Sequence, residues 1–237
     1  MRKNCVASLL WVFVSTLFVF AGAQTQDDEA TEAYNQGNAE FRAKQFNEAI
    51  KHYDLAISLA PRFVEAYGNR GVAYSKLGQE KRAIGDYDRA ISIDPQYTKG
   101  YYNRGLTYSA LGQEERAIKD YTQAISIKPK YAEAFYDRGI SNFKLGRYEL
   151  ALKDYNQSIN INPEYAEAYN SRGAIYSKLG QHERAIKDYN QAITIDPNYA
   201  DAYFNRSLSY KKLGQNERAK QDYNRAIELD PNLTKQY

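Results

Sequence analysis

All six prolines of the chain stand at one interval: Pro61, Pro95, Pro129, Pro163, Pro197 and Pro231 are each 34 residues apart. A fixed period of this length is the mark of a stacked repeat, and it takes precedence over estimating domains from length. With proline at repeat position 32, the array runs Ala30–Phe63, Val64–Tyr97, Thr98–Tyr131, Ala132–Tyr165, Ala166–Tyr199 and Ala200–Leu233. Each unit carries two apolar patterns of helical spacing, as in "AYNSRGAIYSKLG" and "HERAIKDYNQAITI". The glycine at position 15 (Gly78, Gly112, Gly146, Gly180, Gly214) follows the first pattern and predicts a helix stop in the left-handed conformation. The proline closes the second, because it cannot extend a helix. The expected fold is all-α.

These residues resemble the tetratricopeptide repeat (TPR) family. Gly105, Tyr108, Ala117, Tyr121, Ala124 and Pro129 present the full pattern in the third repeat, and the resemblance spans residues 30–233. Departures lie at Glu40 and Lys44 in the first repeat, Asn142 and Ser158 in the fourth, and Ser207 in the sixth. The resemblance implies a solenoid of six helix–turn–helix repeats, a right-handed superhelix whose concave face is lined by the first helices. It also implies a scaffold that binds a protein or peptide segment in that groove, and no enzyme.

Elementary packing points the same way. Small residues at positions 8, 20 and 27 let two helices approach closely, and Tyr at position 24 fills the space between them. One hairpin cannot bury its apolar face alone, so neighbours must stack. Position 21 is Ile50, Ile84, Ile118, Leu152 and Ile186, then Lys220. Lysine is costly to bury unpaired, so position 21 is expected to pack on the following repeat and the sixth repeat to be the last. The short tail 234–237 offers no further helix, so apolar surface is expected on 215–229, a route to homo-oligomers.

Two charged positions switch together. Position 7 is Gln36, then Arg70, Arg104, Arg138, Arg172 and Arg206; position 23 is His52, then Asp86, Asp120, Asp154, Asp188 and Asp222. An arginine fork suits a carboxylate, so Arg–Asp pairs within a repeat or between adjacent repeats are expected. A row of arginines holding an external anion is the competing reading.

Positions 2, 6, 9 and 13 of each first helix share one face. Position 6 holds Asn35, Asn69, Asn103, Asp137, Ser171 and Asn205. Asparagine inside a helix costs roughly 0.7 kcal/mol against alanine, and its amide can both donate to and accept from peptide main chain. A similar asparagine ladder in the TPR superhelix of O-linked N-acetylglucosamine transferases holds peptide main chain. Bonding between neighbouring first helices is the alternative. Against the TPR carboxylate clamp, Asn38, Asn69 and Lys99 match, whereas Tyr34 and Asn103 stand where cations are expected. The candidate groove residues are therefore Asn35, Asn38, Asn69, Lys99, Asn103, Asp137, Ser171 and Asn205. Tyr34, Tyr102, Tyr136 and Phe204 at position 5 suit either a groove edge or packing between repeats.

The amino terminus has a basic start (Arg2, Lys3), an apolar run from Cys5 to Phe20 and Ala21-Gly22-Ala23. That is the layout of a secretory signal peptide. Residues 1–23 are read as a leader, 24–29 as a short polar linker and 30–233 as the repeat domain. An exported, periplasmic or extracellular protein is expected, with an uncleaved leader as the one route to a membrane anchor. Cys5, the only cysteine, would leave with the leader. Without Arg2 and Lys3 the charge balance is 30 basic to 29 acidic residues, which gives no footprint for nucleic acid. The two histidines, His52 and His182, lie in different repeats without metal-ligand spacing. No metal or other cofactor is expected.

Overall fold

The computed structural model describes residues 25–236. Among them twelve α-helices follow one another, and the chain ends in a 3₁₀ turn. The first helix of each repeat is α1 (25–42), α3 (Val64–Lys76), α5 (Thr98–Ala110), α7 (Ala132–Lys144), α9 (Ala166–Lys178) and α11 (Ala200–Lys212). The second is α2 (Phe46–Leu59), α4 (Glu80–Ile93), α6 (Glu114–Ile127), α8 (Tyr148–Ile161), α10 (His182–Ile195) and α12 (Asn216–Leu229). The helices form two compact units, one ending at Thr107 and the other beginning at Tyr108, within α5. The expected leader lies outside the described residues. Residues 25–29, read from sequence as linker, are helical and lengthen α1.

The stop signals work as the sequence implies. Gly78, Gly112, Gly146, Gly180 and Gly214 have φ between 68° and 75°. Around Gly78 the amides of Gly78 and Gln79 turn back onto the carbonyls of Ser75 and Tyr74, occupying groups the helix end would leave open. Lys44, where glycine is usual, adopts the same conformation with φ 61°. After the second helices, Asp94, Asn162, Asp196 and Asp230 accept a bond from the amide two residues on. Each side chain thus fixes the turn that carries the proline.

Inside each hairpin a tyrosine lies against a residue with no side chain. Tyr53, Tyr87, Tyr155 and Tyr189 are buried, and a Cβ added to Gly37, Gly71, Gly139 or Gly173 would meet their rings at 2.6–2.7 Å. In the sixth repeat Ser207 takes that place, donating to the carbonyl of Phe204, and Tyr223 is only half-buried. Between hairpins, Ile50 packs with Ala73 and Tyr74 of α3, and Leu152 packs on Ile175 of α9. Position 21 therefore joins neighbouring repeats, as its sequence series implies, and Lys220 is exposed.

The expected apolar surface on the last helix is not found. Pro231–Gln236 forms the 3₁₀ turn, and Leu233 is buried with Phe204 and Ala226 while Ile227 packs alongside. Leu233 takes the place that an aromatic holds at position 34 of earlier repeats. The large exposed apolar side chains of the described residues are Leu55, Leu106, Leu111, Leu150, Leu179 and Leu208, none of them on α12.

Candidate functional site

The repeated arginines are scaffold. Arg70, Arg138, Arg172 and Arg206 each grip the aspartate of their own second helix with Nε and Nη2, at 2.6–3.0 Å. The remaining Nη1 reaches back to position 25 of the preceding repeat: Asp54, Thr122, Asn156 or Asn190, at 2.6–3.0 Å. Arg104 makes the same backward contact with Asp88. One guanidinium thus closes a hairpin and fastens it to its neighbour. Burial pulls the Arg70 guanidinium down, but Asp86 and Asp54 more than offset this and hold it above its ordinary value, charged throughout. In the fourth repeat Asn142 joins by donating to Asp154 at 3.0 Å. Three of the five N–H donors of each of these four guanidiniums are thus spent on acceptors of the protein's own, and the carboxylate of the pair already supplies the counter-charge that an outside anion would have to displace.

The asparagine face is different. In the first unit, Asn69 Nδ2 donates to Asn38 Oδ1 (2.8 Å) and to the Tyr34 hydroxyl (2.9 Å), while the Tyr53 hydroxyl donates to Asn38 Oδ1 (2.9 Å). These bonds consume the oxygen of Asn38 and the amino group of Asn69. What remains is the Asn38 amino group and the Asn69 oxygen, one donor and one acceptor side by side. They open into a pocket of about 300 Å3 with Phe41, Arg42 and Val72, floored by Tyr53. Burial pushes the Tyr53 phenol up to about 12, so it serves as a neutral donor.

Asn103 has a freer carboxamide. Position 6 normally bonds position 5 one repeat earlier, as in Asn69 with Tyr34, Ser171 with Tyr136 (3.4 Å) and Asn205 with Asn170 (3.1 Å). For Asn103 that earlier residue is Gly68, whose space is filled by the Tyr97 ring. Among the described residues nothing bonds the half-buried Asn103 side chain; only its backbone carbonyl accepts, from Thr107. Asn35 and Lys99 are exposed.

In the second unit Asp137, Ser171 and Asn205 are half-buried. Asn205 enters a pocket of about 550 Å3 between α9, α10 and α11, floored by Tyr189. This pocket uses the same repeat positions as the first, so the face read from sequence carries a cavity in each unit. Sequence reasoning missed Asn170, which takes the Asn205 proton and donates to the Tyr199 hydroxyl at 3.2 Å. It replaces an aromatic in the position-5 series, and that break was the available signal. Two aromatics of that series pack on the position-34 aromatic that closes their own repeat, Tyr34 on Phe63 and Tyr136 on Tyr165, with ring centroids 4.8 Å apart in both pairs.

Family models for the tetratricopeptide repeat match residues 64–97, 98–131, 166–199 and 200–233, and a TPR repeat model matches 37–78 and 141–180. The chain belongs to the tetratricopeptide repeat family. The matched 34-residue segments begin and end where the proline register sets them.

Among solved structures, MamA is 28% identical with a TM-score of 0.64, over 70% of this chain and 96% of that one. PilF of Pseudomonas aeruginosa is 15% identical with a TM-score of 0.78, over 87% and 94%. YrrB, described as a TPR protein with an unusual peptide-binding site, is 24% identical with a TM-score of 0.63, over 76% and 92%. The latter two likenesses concern the fold. Among curated proteins, Hsp70-Hsp90 organizing protein 3 of Arabidopsis thaliana is 45% identical over 49 residues, covering 21% of this chain and 9% of that protein. Hsp70-Hsp90 organizing protein 1 of Glycine max matches to the same extent. The matched stretch is under a tenth of either relative.

Among the described residues no three His, Cys, Asp or Glu side chains converge as metal ligands. No described helix is long and apolar enough to cross a membrane.

Proposed function

We propose that this TPR protein binds an extended segment of another protein along the face of its first helices, and acts as an assembly scaffold. The observation that carries the reading is the pair left at the first pocket, Asn38 Nδ2 as donor beside Asn69 Oδ1 as acceptor. A peptide unit presents one N–H and one C=O, so this pair meets main chain without reference to its side chains. Asn103 adds a carboxamide with no internal partner, which costs nothing to redirect. Membership of a family of interaction scaffolds, the peptide-binding description of YrrB and the short match to Hsp70-Hsp90 organizing proteins support the same class of function. The basic and apolar start of the sequence supports export, so the partners belong outside the cytoplasm.

Selection from a random peptide library on the full chain tests this. Enriched peptides should bind the wild type and lose about tenfold in affinity with Asn103→Ala, at unchanged melting temperature. A library without enrichment, or peptides indifferent to Asn103→Ala and to Asn69→Leu, would contradict the proposal.

A further inference from the structure

One structural node recurs along the second unit, keeping its lysine and losing its acid. At its first appearance Lys144 Nζ donates to Glu114 Oε1 (2.8 Å) and Ser109 Oγ (3.1 Å), and Ser109 donates to Glu114 Oε2 (2.9 Å). The carboxylate is buried and the lysine is neutralised. One repeat later the equivalent residues are Phe143, Tyr148 and Lys178: the two rings pack with centroids 5.6 Å apart, and the ammonium lies 5.6 Å from the Tyr148 ring centroid. Two repeats later they are Ser177, His182 and Lys212. Ser177 Oγ faces His182 Nδ1 at 3.5 Å, where Ser109 faces Glu114 at 2.9 Å, so the acid itself has been replaced.

The consequence is a basic cavity. The pocket of about 550 Å3 is lined by Lys178, His182, Lys211 and Lys212 and by no acidic residue. In the Glu114 version the same node holds its own counter-ion. Leu208, 36% exposed, and the ring of Tyr189 supply apolar walls, which suit the methylenes of a short acidic side chain. The residues stand at positions 12, 13 and 17 of the repeat, apart from the positions of Asn38, Asn69 and Lys99.

We infer that this cavity receives the carboxylates of an acidic peptide segment, which take beside Lys178 and Lys212 the place that the Glu114 carboxylate takes beside Lys144, with His182 offering a ring nitrogen as hydrogen-bond partner. It deepens the peptide-binding reading and rests on it, since Asn205 of the candidate face lines the same cavity. Lysine, a compact point charge on a flexible stem, pairs with a carboxylate without demanding one geometry. The attraction is partly exposed, so added salt weakens it.

The test is the affinity of fluorescein-labelled hexaglutamate for the full chain at low ionic strength. Wild type should bind saturably. His182→Glu, which recreates the acid of the Glu114 node, and Lys212→Gln should each weaken binding about tenfold. Lys220→Gln, an equal change of charge on the exposed side of α12, should weaken it less than about twofold. No saturable binding, or equal losses in all three variants, would overturn the inference. So would a hexapeptide of phosphoserines that binds about tenfold tighter, since the cavity would then be a phosphate site. Library peptides that respond to Asn103→Ala but not to His182→Glu would leave the peptide-binding reading standing and remove this one. Loss of hexaglutamate binding with His182→Glu, without any enriched library peptide, would do the reverse.

Discussion

The two pockets occupy the same positions of the repeat, yet their walls are held in different ways. Around the first, the first hairpin lacks the arginine clamp: Gln36 and His52 stand where later repeats have Arg and Asp. The carboxamides and hydroxyls of Asn38, Asn69, Tyr34 and Tyr53 tie α1 to α2 and α3 instead, while Arg70 joins α3 to α2 through Asp54, and Asn38, Asn69 and Tyr53 line the pocket themselves. Around the second, Arg172 holds Asp188 and Asn156 outside the lining, so the cavity residues are spared that work. Where the scaffold is fastened elsewhere, the rim can become lysine and histidine. Where rim and fastening coincide, it is amide-rich, with Arg42 as the one charged side chain of the lining.

Breaking the clamp should separate the two regions most sharply. Arg172→Ala leaves Asp188 buried without its partner and should cost about 3–5 kcal/mol, whereas Gln36→Ala on exposed α1 should change stability by under about 0.5 kcal/mol. Urea denaturation of the single variants, Asp188→Ala and the Arg172/Asp188 double variant measures this. The double variant should lose clearly less than the sum; additive losses would show the clamp is not a unit.

A smaller effect concerns the neutralised node. Burial alone would raise the Glu114 carboxyl, but Lys144 and Ser109 hold it below its ordinary value. A depressed carboxyl stabilises the fold above the ordinary glutamate range and loses that contribution as pH falls through the lowered value. Glu114→Gln should therefore cost about 1 kcal/mol near neutrality, the exposed lysine end being screened by solvent, and almost nothing in strong acid. A gap between wild type and variant that persists at about pH 2 would refute this origin. The smallest effect is a gain. Ser158 is fully buried, its hydroxyl has no partner, and alanine fills this place in other repeats. Ser158→Ala should raise stability by roughly 0.5–1 kcal/mol, and a loss in thermal melting would contradict that.

Much of this was written in the sequence. Proline spacing set the repeat boundaries, and Gly at position 15 set the turns, because those residues act through local backbone geometry. The Arg–Asp pairs were legible because both partners change together at Gln36 and His52. The third arginine contact was not, since position 25 offers Asp, Asn or Thr and any of them accepts a bond. The asparagines were ambiguous for a physical reason: a carboxamide has enough donors and acceptors to bond its neighbour and still face outward, and Asn38 and Asn69 do both. Asn170 escaped notice as an exception within an aromatic series. The buried end of α12 depends on a 3₁₀ turn whose short tail carried no helical signal.

The central claim is that leftover amide groups on the first-helix face bind main chain. The direct measurement is an NMR titration of the full chain with a library-selected peptide, following asparagine side-chain amides. The Nδ2 resonances of Asn38 and Asn103 should move with saturation while that of Asn170, spent on Tyr199, stays in place. Peptide binding that leaves both Asn38 and Asn103 unmoved would contradict the account.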